Sequence, residues 1–451
     1  MHGQKRSEYK ARQNDKKVSA VLSQKAQQWN ALSRELVSRR RPQEPSSLSN
    51  EEERSSWIST LALSEKLLSV NPDPSHLWNR RREILIAINN QSKDDETCSF
   101  RNEQILTAKC LERNPKAYGS WFHRKWSIRF FLLNDMTSDK NHNSDTVDKW
   151  KSLLGAELNL CADFLKLDER NFHCWNYRRF VVSSLATVIL LTQTNNHATN
   201  QMDDETNQQI IHGITGSWKH WISNDNNDTF ETFSFNLMGP QITETTVSDK
   251  SHINDTNKHE LLQHFKESTA QSLEALLQTE WDFTREKIEE NFSNCSAFHY
   301  RSKLLPLILK QKETEHNVDT IKMELVKDEL DLVQNAIFTE PDDQTAWWYH
   351  RFIISWAYPK NNEENKLIEY EQLLEEESET LHELSETENG QCKWALIGLH
   401  LVLDTNYQLL EDRKAKNVEK KETLRNEVNE CLKLLIDLDP DRKGRYESLF
   451  L

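Results

Sequence analysis

Apolar residues recur at three- and four-residue intervals in segments such as STLALSEKLLSV (59–70), GAELNLCADFLKL (155–167) and IKMELVKDELDLVQNAIF (321–338). That period places the apolar set on one face of a helix and predicts an amphipathic α-helix for each segment. Turn-forming residues stop the pattern: NPDP at 71–74, NPKA at 114–117, DERN at 168–171 and EPDD at 340–343. Where proline is present it cannot continue the helix, and it disfavours α geometry in the residue before it. A second apolar helix then begins on an aromatic residue, so the pattern predicts helical hairpins, each with a helix A, a tight turn and a helix B.

The aromatic belongs to a spaced motif with an arginine three positions on. The copies are Trp78/Arg81, Trp121/Arg124, Trp175/Arg178, Phe298/Arg301 and, last, Trp347 or Trp348 with Arg351. An Asn or Asp stands seven residues before the aromatic in the first four copies (Asn71, Asn114, Asp168, Asn291). Residues three apart on a helix share a face, so the arginine stem can cover the indole while its fork reaches carbonyls or an acidic turn residue. A single hairpin of this kind cannot bury its apolar face; successive hairpins must stack. The expected fold is all-α, an α/α superhelix in the form of a crescent-shaped solenoid. Its expected divisions are an arm and first helix over 1–55, hairpins one to three over 56–191, an insertion over 192–259, and hairpins four and five with capping helices over 260–451. The insertion is rich in Asn, Thr and Asp and reads as disordered or loosely looped, with Trp218, Trp221, Phe230, Phe233 and Phe235 as an apolar patch inside it.

Composition narrows the picture. Nine glycines and ten prolines in 451 residues are too few for a turn-rich sheet protein. A formal net charge of −15 argues against a nucleic-acid or anionic-membrane surface. The longest apolar run, FVVSSLATVILL from Phe180, is too short and too polar to span a bilayer. Seven cysteines without a Cys-x-x-Cys pair, and no signal peptide at the start, fit a reducing compartment, so a cytoplasmic protein is expected. No Cys/His/Asp set has metal-ligand spacing, and His123, His299 and His350 fall on the hairpin helices as packing or capping residues.

The five motifs together (LWNRRREIL, NPKAYGSWFHRKW, DERNFHCWNYRRFV, NFSNCSAFHYR and AWWYHRFIISW) resemble the α subunits of protein prenyltransferases, and among them the type II, Rab geranylgeranyltransferase group in a short form without leucine-rich repeats. The fourth copy departs from the pattern, with Cys295 and Phe298 where an aromatic and a tryptophan are usual. The resemblance implies a heterodimer in which a β subunit holds the zinc and the isoprenoid pocket. It implies transfer of geranylgeranyl from geranylgeranyl diphosphate to cysteines of Rab GTPases presented by a Rab escort protein. It further implies that Lys116 and Tyr118 face the diphosphate, with Asn171 and His173 at the equivalent rim one hairpin later; Phe172 there lacks the hydroxyl of the farnesyl relatives. Gly119 has no side chain to read a peptide carboxylate, which fits the type II group. His2 is a further residue able to reach a neighbouring metal. Two other readings stay open: the α subunit shared by farnesyltransferase and type I geranylgeranyltransferase, and a non-catalytic scaffold of tetratricopeptide type. Spacings of 43, 54 and 49 between adjacent motifs, with one interruption of 123, against about 34 for tetratricopeptide repeats, weigh against the scaffold.

Overall fold

The computed structural model describes residues 16–45, 47–91, 99–138, 144–197, 274–312, 318–359, 363–413 and 417–451. All regular structure among these residues is helical. The chain divides into two compact units, Met1–Ser223 and Asn224–Leu451. The predicted insertion falls almost wholly outside the described residues, as do its five aromatics and His2; the helix before it runs on to His197.

In the first unit, α1 (Lys16–Ser38) packs on α2 (Asn50–Val70), followed by α3 (Ser75–Gln91), α4 (Phe100–Arg113), α5 (Tyr118–Ser138), α6 (Ser144–Leu167) and α7 (Phe172–His197). Helices α2, α4 and α6 are the A members of three hairpins, and α3, α5 and α7 the B members. Consecutive B helices touch, α3 on α5 and α5 on α7. In the second unit, α8 (274–290) and α9 (Cys295–Lys312) form the fourth hairpin, and α10 (Val318–Thr339) and α11 (Gln344–Ala357) the fifth. Then come α12 (Glu364–Thr387), α13 (Lys393–Asp412), α14 (Val418–Leu438) and the short α15 (Lys443–Glu447). Each unit is a stack of α/α hairpins. Local sequence sets the ends: Ser49 and Glu52 form a reciprocal capping box at α2, and Asn71 and Asn114 close α2 and α4 ahead of their prolines.

Two repeated contacts hold the stacks. The first lies within a hairpin. The indole N–H of Trp78, Trp121, Trp175 and Trp347 donates to the backbone carbonyl six residues earlier, at 2.8 Å in all four. The anchor therefore buries its ring and ties down its own turn together; Trp78 is fully buried and Trp121 nearly so. Phe298 is just as buried but has no N–H to give.

The second contact runs between hairpins. Arg81, Arg124 and Arg301 each donate through Nη1 to a carbonyl of their own helix A, twenty positions back. With Nε and Nη2 each grips a carboxylate of the next helix A: Glu103 at 2.7 and 2.8 Å, Glu157 at 2.6 and 2.8 Å, Glu329 at 2.7 and 2.6 Å. These acids are buried, and each also meets the B helix of its own hairpin twenty positions on, through His123, Tyr177 and Tyr349 respectively. The expectation of an acidic turn residue is corrected here. The partner is a helix residue, because the arginine points sideways into the neighbouring hairpin rather than back along its own.

The last motif is also corrected. Trp347 is the anchor, while Trp348 is exposed and Arg351 lies on the outer face. The arginine's place is taken by buried His350, whose Nε2 is 2.8 Å from Glu377, with Gln334 on the other carboxylate oxygen.

A buried, bidentate pair is costly to break because one partner is left charged without its counter-ion. Arg124→Met should lower stability by roughly 3–5 kcal/mol in urea unfolding, while Arg124→Met with Glu157→Leu should recover most of that loss. Equal losses in the single and double variants would show that the pair is not the cause.

The acid side of the stability curve has a specific origin. Burial pushes His123 down to about 4 from its ordinary 6.5, against the pull of Glu103. Burial tends to raise Glu103, but Arg81 and His123 outweigh it and hold the carboxyl at about 2. Both folded values lie below the unfolded ones, so both groups lose stabilisation as pH falls, His123 between about 6.5 and about 4 and Glu103 below that. His123→Gln should flatten the upper part of this decline relative to the wild type in urea titrations, and an unchanged slope would contradict the assignment.

Candidate functional site

The turn at 114–117 is fixed from both sides of one peptide bond. The side-chain oxygen of Asn114 accepts from the backbone N–H of Lys116 at 3.1 Å. The preceding carbonyl, on Pro115, accepts from the Trp121 indole at 2.8 Å and from the Asn171 amide at 2.9 Å. A carbonyl has two lone pairs, and both are used. The side-chain amide of Asn114 also donates to Asp73 in the previous turn, so three successive turns are tied in a row. Lys116 is thus presented from a rigid backbone.

The predicted residues Lys116, Tyr118 and His173 come together at this edge. Lys116 is half-exposed and its Nζ lies 3.0 Å from Asp168, in the next turn. Tyr118 opens α5 and is 67 % exposed; its ring packs edge-on against His173 with centroids 6.0 Å apart and runs parallel to Phe122 at 6.1 Å. Phe172 is exposed and covers His173, with ring centroids 4.0 Å apart. One turn further along α5, Lys125 lies above the Phe180 ring of α7, 5.8 Å from its centroid. Arg82 of α3 lies over Phe122 at 4.9 Å. The arrangement is a row of aromatic rings edged by cations, open on one side.

Asn171 stands apart from these three. It is buried, its amide nitrogen is committed to Pro115, and its oxygen accepts from the backbone N–H groups of His173 and Cys174. It caps α7 and joins two turns, and so positions the site without facing it. Gly119 also has a structural cause. A Cβ there would meet the Trp78 indole at 2.7 Å, so the previous hairpin's anchor excludes any side chain at this position.

Electrostatics separate the site's members. Burial, then Lys125, then Lys116 lower His173 below its ordinary value, so its imidazole is neutral at neutral pH and offers a hydrogen bond rather than a charge. Burial, with Arg179 next, pushes Lys125 down to about 7. A carbon-bound leaving group with developing negative charge would meet here one fixed cation, a hydroxyl and a neutral N–H donor.

The protein prenyltransferase alpha subunit repeat matches residues 100–131, 154–185, 277–308 and 326–357, the second to fifth hairpins. A pig (Sus scrofa) protein named geranylgeranyl transferase type-2 subunit alpha is 30% identical over 304 residues, covering 67% of this chain and 35% of that protein. Proteins of the same name from Candida albicans and Schizosaccharomyces pombe are 24% and 26% identical; the matches cover 86% and 67% of this chain and 83% and 86% of theirs. The chain belongs to the protein prenyltransferase α-subunit family. Its match spans about a third of the mammalian relative. The family's repeat unit coincides with one hairpin, since each matched segment holds both a buried acid (Glu103, Glu157, Glu280 or Glu329) and the anchor aromatic of the same hairpin.

The family implies a zinc ion, and four of the cysteines described here do not suit one. Burial pushes Cys110 and Cys431 up to about 12 and raises Cys161 and Cys392, the opposite of what a metal-bound thiolate needs. Among the described residues no group of three or more His, Cys, Asp or Glu side chains is placed to hold a metal ion. No described helix is long and apolar enough to cross a membrane.

Asn171→Ala should lower stability by roughly 1–3 kcal/mol, since it removes one of the two bonds to the Pro115 carbonyl together with a helix cap. Lys116→Ala and Tyr118→Ala, both at exposed positions, should stay within about 0.5 kcal/mol. Urea unfolding of the three variants checks this; a large loss in Lys116→Ala would make that lysine part of the scaffold.

Proposed function

We propose that this chain is the α subunit of a heterodimeric Rab geranylgeranyltransferase working in the cytoplasm. It scaffolds a β subunit and lends donors to the diphosphate of geranylgeranyl diphosphate. The acceptors are C-terminal cysteines of Rab GTPases presented by a Rab escort protein. The observation that carries this reading is the convergence of Lys116, Tyr118 and His173 on one rigid edge of the second and third hairpins. The family and the names of the relatives support it.

The chemistry is a substitution at an allylic carbon: a carbon–sulfur bond forms, a carbon–oxygen bond breaks, and diphosphate leaves with roughly three negative charges. In this reading the zinc belongs to the β subunit, where its chemistry is to keep the acceptor cysteine as thiolate. This chain's part is the leaving group. Lys116 supplies a compact ammonium, Tyr118 a hydroxyl, and neutral His173 an N–H, all aimed before the bond breaks. The Lys116–Asp168 pair is half-exposed, and surface pairs of this kind are worth about 0–1 kcal/mol, so an arriving diphosphate displaces Asp168 at little cost.

Lys116→Ala, in the complex co-purified with its β subunit, should lower kcat by roughly 10- to 1000-fold with the subunits still associated. Unchanged turnover removes Lys116 from the reaction. Prenylation of a peptide ending in a CaaX box without any escort protein would instead assign the chain to the farnesyl and type I group.

A further inference from the structure

The hairpin pattern runs on past the last aromatic motif and loses its clamp there. The Pro341 carbonyl accepts from the Trp347 indole and from the Cys392 thiol, as the Pro115 carbonyl does from Trp121 and Asn171. Asn171 stands four positions before its anchor, Trp175, so Cys392 marks Leu396 as the sixth anchor and Leu399 as the residue in the arginine's place. The acid's place has changed as well. In the clamped hairpins it lies eleven positions before the residue that closes helix A, as Glu103 before Asn114 and Glu377 before Glu388. In α14, closed by Asp439, that position is the buried Val428. Tryptophan, arginine and glutamate have become leucine, leucine and valine.

Smaller side chains leave space. Between α12 and α14, over a floor that includes Leu396, Leu399 and Cys431, lies a hollow of about 310 Å³. His382 and Ser385 of α12 form one wall. Thr423, Glu427, Glu430 and Leu434 form the other; at steps of four, three and four they hold one face of α14 for about 16 Å. The two ends of this groove differ in charge. Toward the start of α12, Arg413 and Lys420 pair with Glu364, Glu371 and Glu375. At the hollow, Glu427 and Glu430 have no ion pair among the described residues, and neither has Glu386, one turn beyond His382 on α12. Both α14 acids bear on the floor, since after burial they are the groups that raise the Cys431 thiol. Leu434, at the lip, is 45 % exposed.

An apolar floor beneath carboxylates without counter-ions is complementary to one kind of surface, a helix with an apolar face and cations along its edges. We propose that this groove docks a basic amphipathic helix of a partner protein. Its apolar side chains fill the hollow over Leu396 and Leu399, and its lysines or arginines meet Glu427, Glu430 and Glu386. The same acids repel an anionic membrane or a nucleic acid. This docking lies outside the function given above and does not rest on it, since the groove shares no residue with the Lys116 edge.

The test titrates the full chain, by fluorescence anisotropy, into a labelled synthetic helix with a leucine face and lysine edges. Wild type should bind it with a Kd of roughly 1–100 μM, and should not bind the same helix with glutamate edges. Glu427→Lys with Glu430→Lys should weaken the lysine helix by about tenfold or more and admit the glutamate helix. Leu434→Asp, at the exposed lip, should also weaken binding by about tenfold. Glu376→Lys with Glu383→Lys, on the outer face of α12, should change affinity by less than about threefold. Equal losses from the two charge-reversed pairs would mean general attraction to an acidic protein and overturn the site. So would wild type that fails to saturate, or wild-type affinity in Leu434→Asp, which decides the matter alone if a charge-reversed pair unfolds. Sedimentation of the chain without peptide as a dimer that Leu434→Asp dissolves would give the groove to a second copy and overturn the proposal too.

Discussion

The arginine that leaves one hairpin to grip a buried glutamate of the next is the contact on which both units depend. An α/α hairpin has two apolar faces and no intrinsic limit on where its neighbour sits; helix packing alone allows sliding and a range of crossing angles. A forked, planar donor meeting a carboxylate in two parallel bonds removes that freedom. Arg81, Arg124 and Arg301 do this with the same set of atoms, and each also bonds back to helix A of its own hairpin through Nη1. Such a pair adds little net stability over a well-packed apolar one, but it fixes register, which apolar packing does poorly.

Register matters because the site is made of turns. Lys116 sits on the turn of the second hairpin, and His173 lies in the first turn of α7, one hairpin later. Their distance follows from the Arg124–Glu157 clamp beneath them and from the Asn171–Pro115 bond that ties the turns at the edge. Scaffold and site are thus continuous: Asn171 holds the carbonyl of the lysine's peptide, and Gly119 lets the start of α5 lie against Trp78.

Much of this was legible in the sequence. Helix boundaries followed from the Asn-Pro and Asp-Glu stops, and the anchors from the Trp-x-x-Arg step. The glutamates were not, for a definite reason. Counted from the arginine, the partner acid lies 22, 33 or 28 positions away, because the helices on either side differ in length, 17 and 14 residues for α3 and α4, 21 and 24 for α5 and α6, 18 and 22 for α9 and α10. Counted from the second B-helix partner the offset is always twenty, since it spans one hairpin of fixed size. The wrong frame hid a constant. The same holds for the last motif, where Arg351 matched the spacing from Trp348 but His350 matches it from the buried Trp347. The burial of Asn171 and the approach of Trp78 to Gly119, from one hairpin earlier, were likewise hidden from a reading of spacing alone.

The central claim is that two clamped hairpins aim Lys116, Tyr118 and His173 at one diphosphate, on an edge that another polypeptide completes. A structure of the chain bound to its β subunit and geranylgeranyl diphosphate tests it most directly. The account predicts phosphate oxygens in contact with the Lys116 ammonium and the Tyr118 hydroxyl, with Asp168 released. Diphosphate held by the β subunit alone, with the Lys116–Asp168 pair intact, would contradict it.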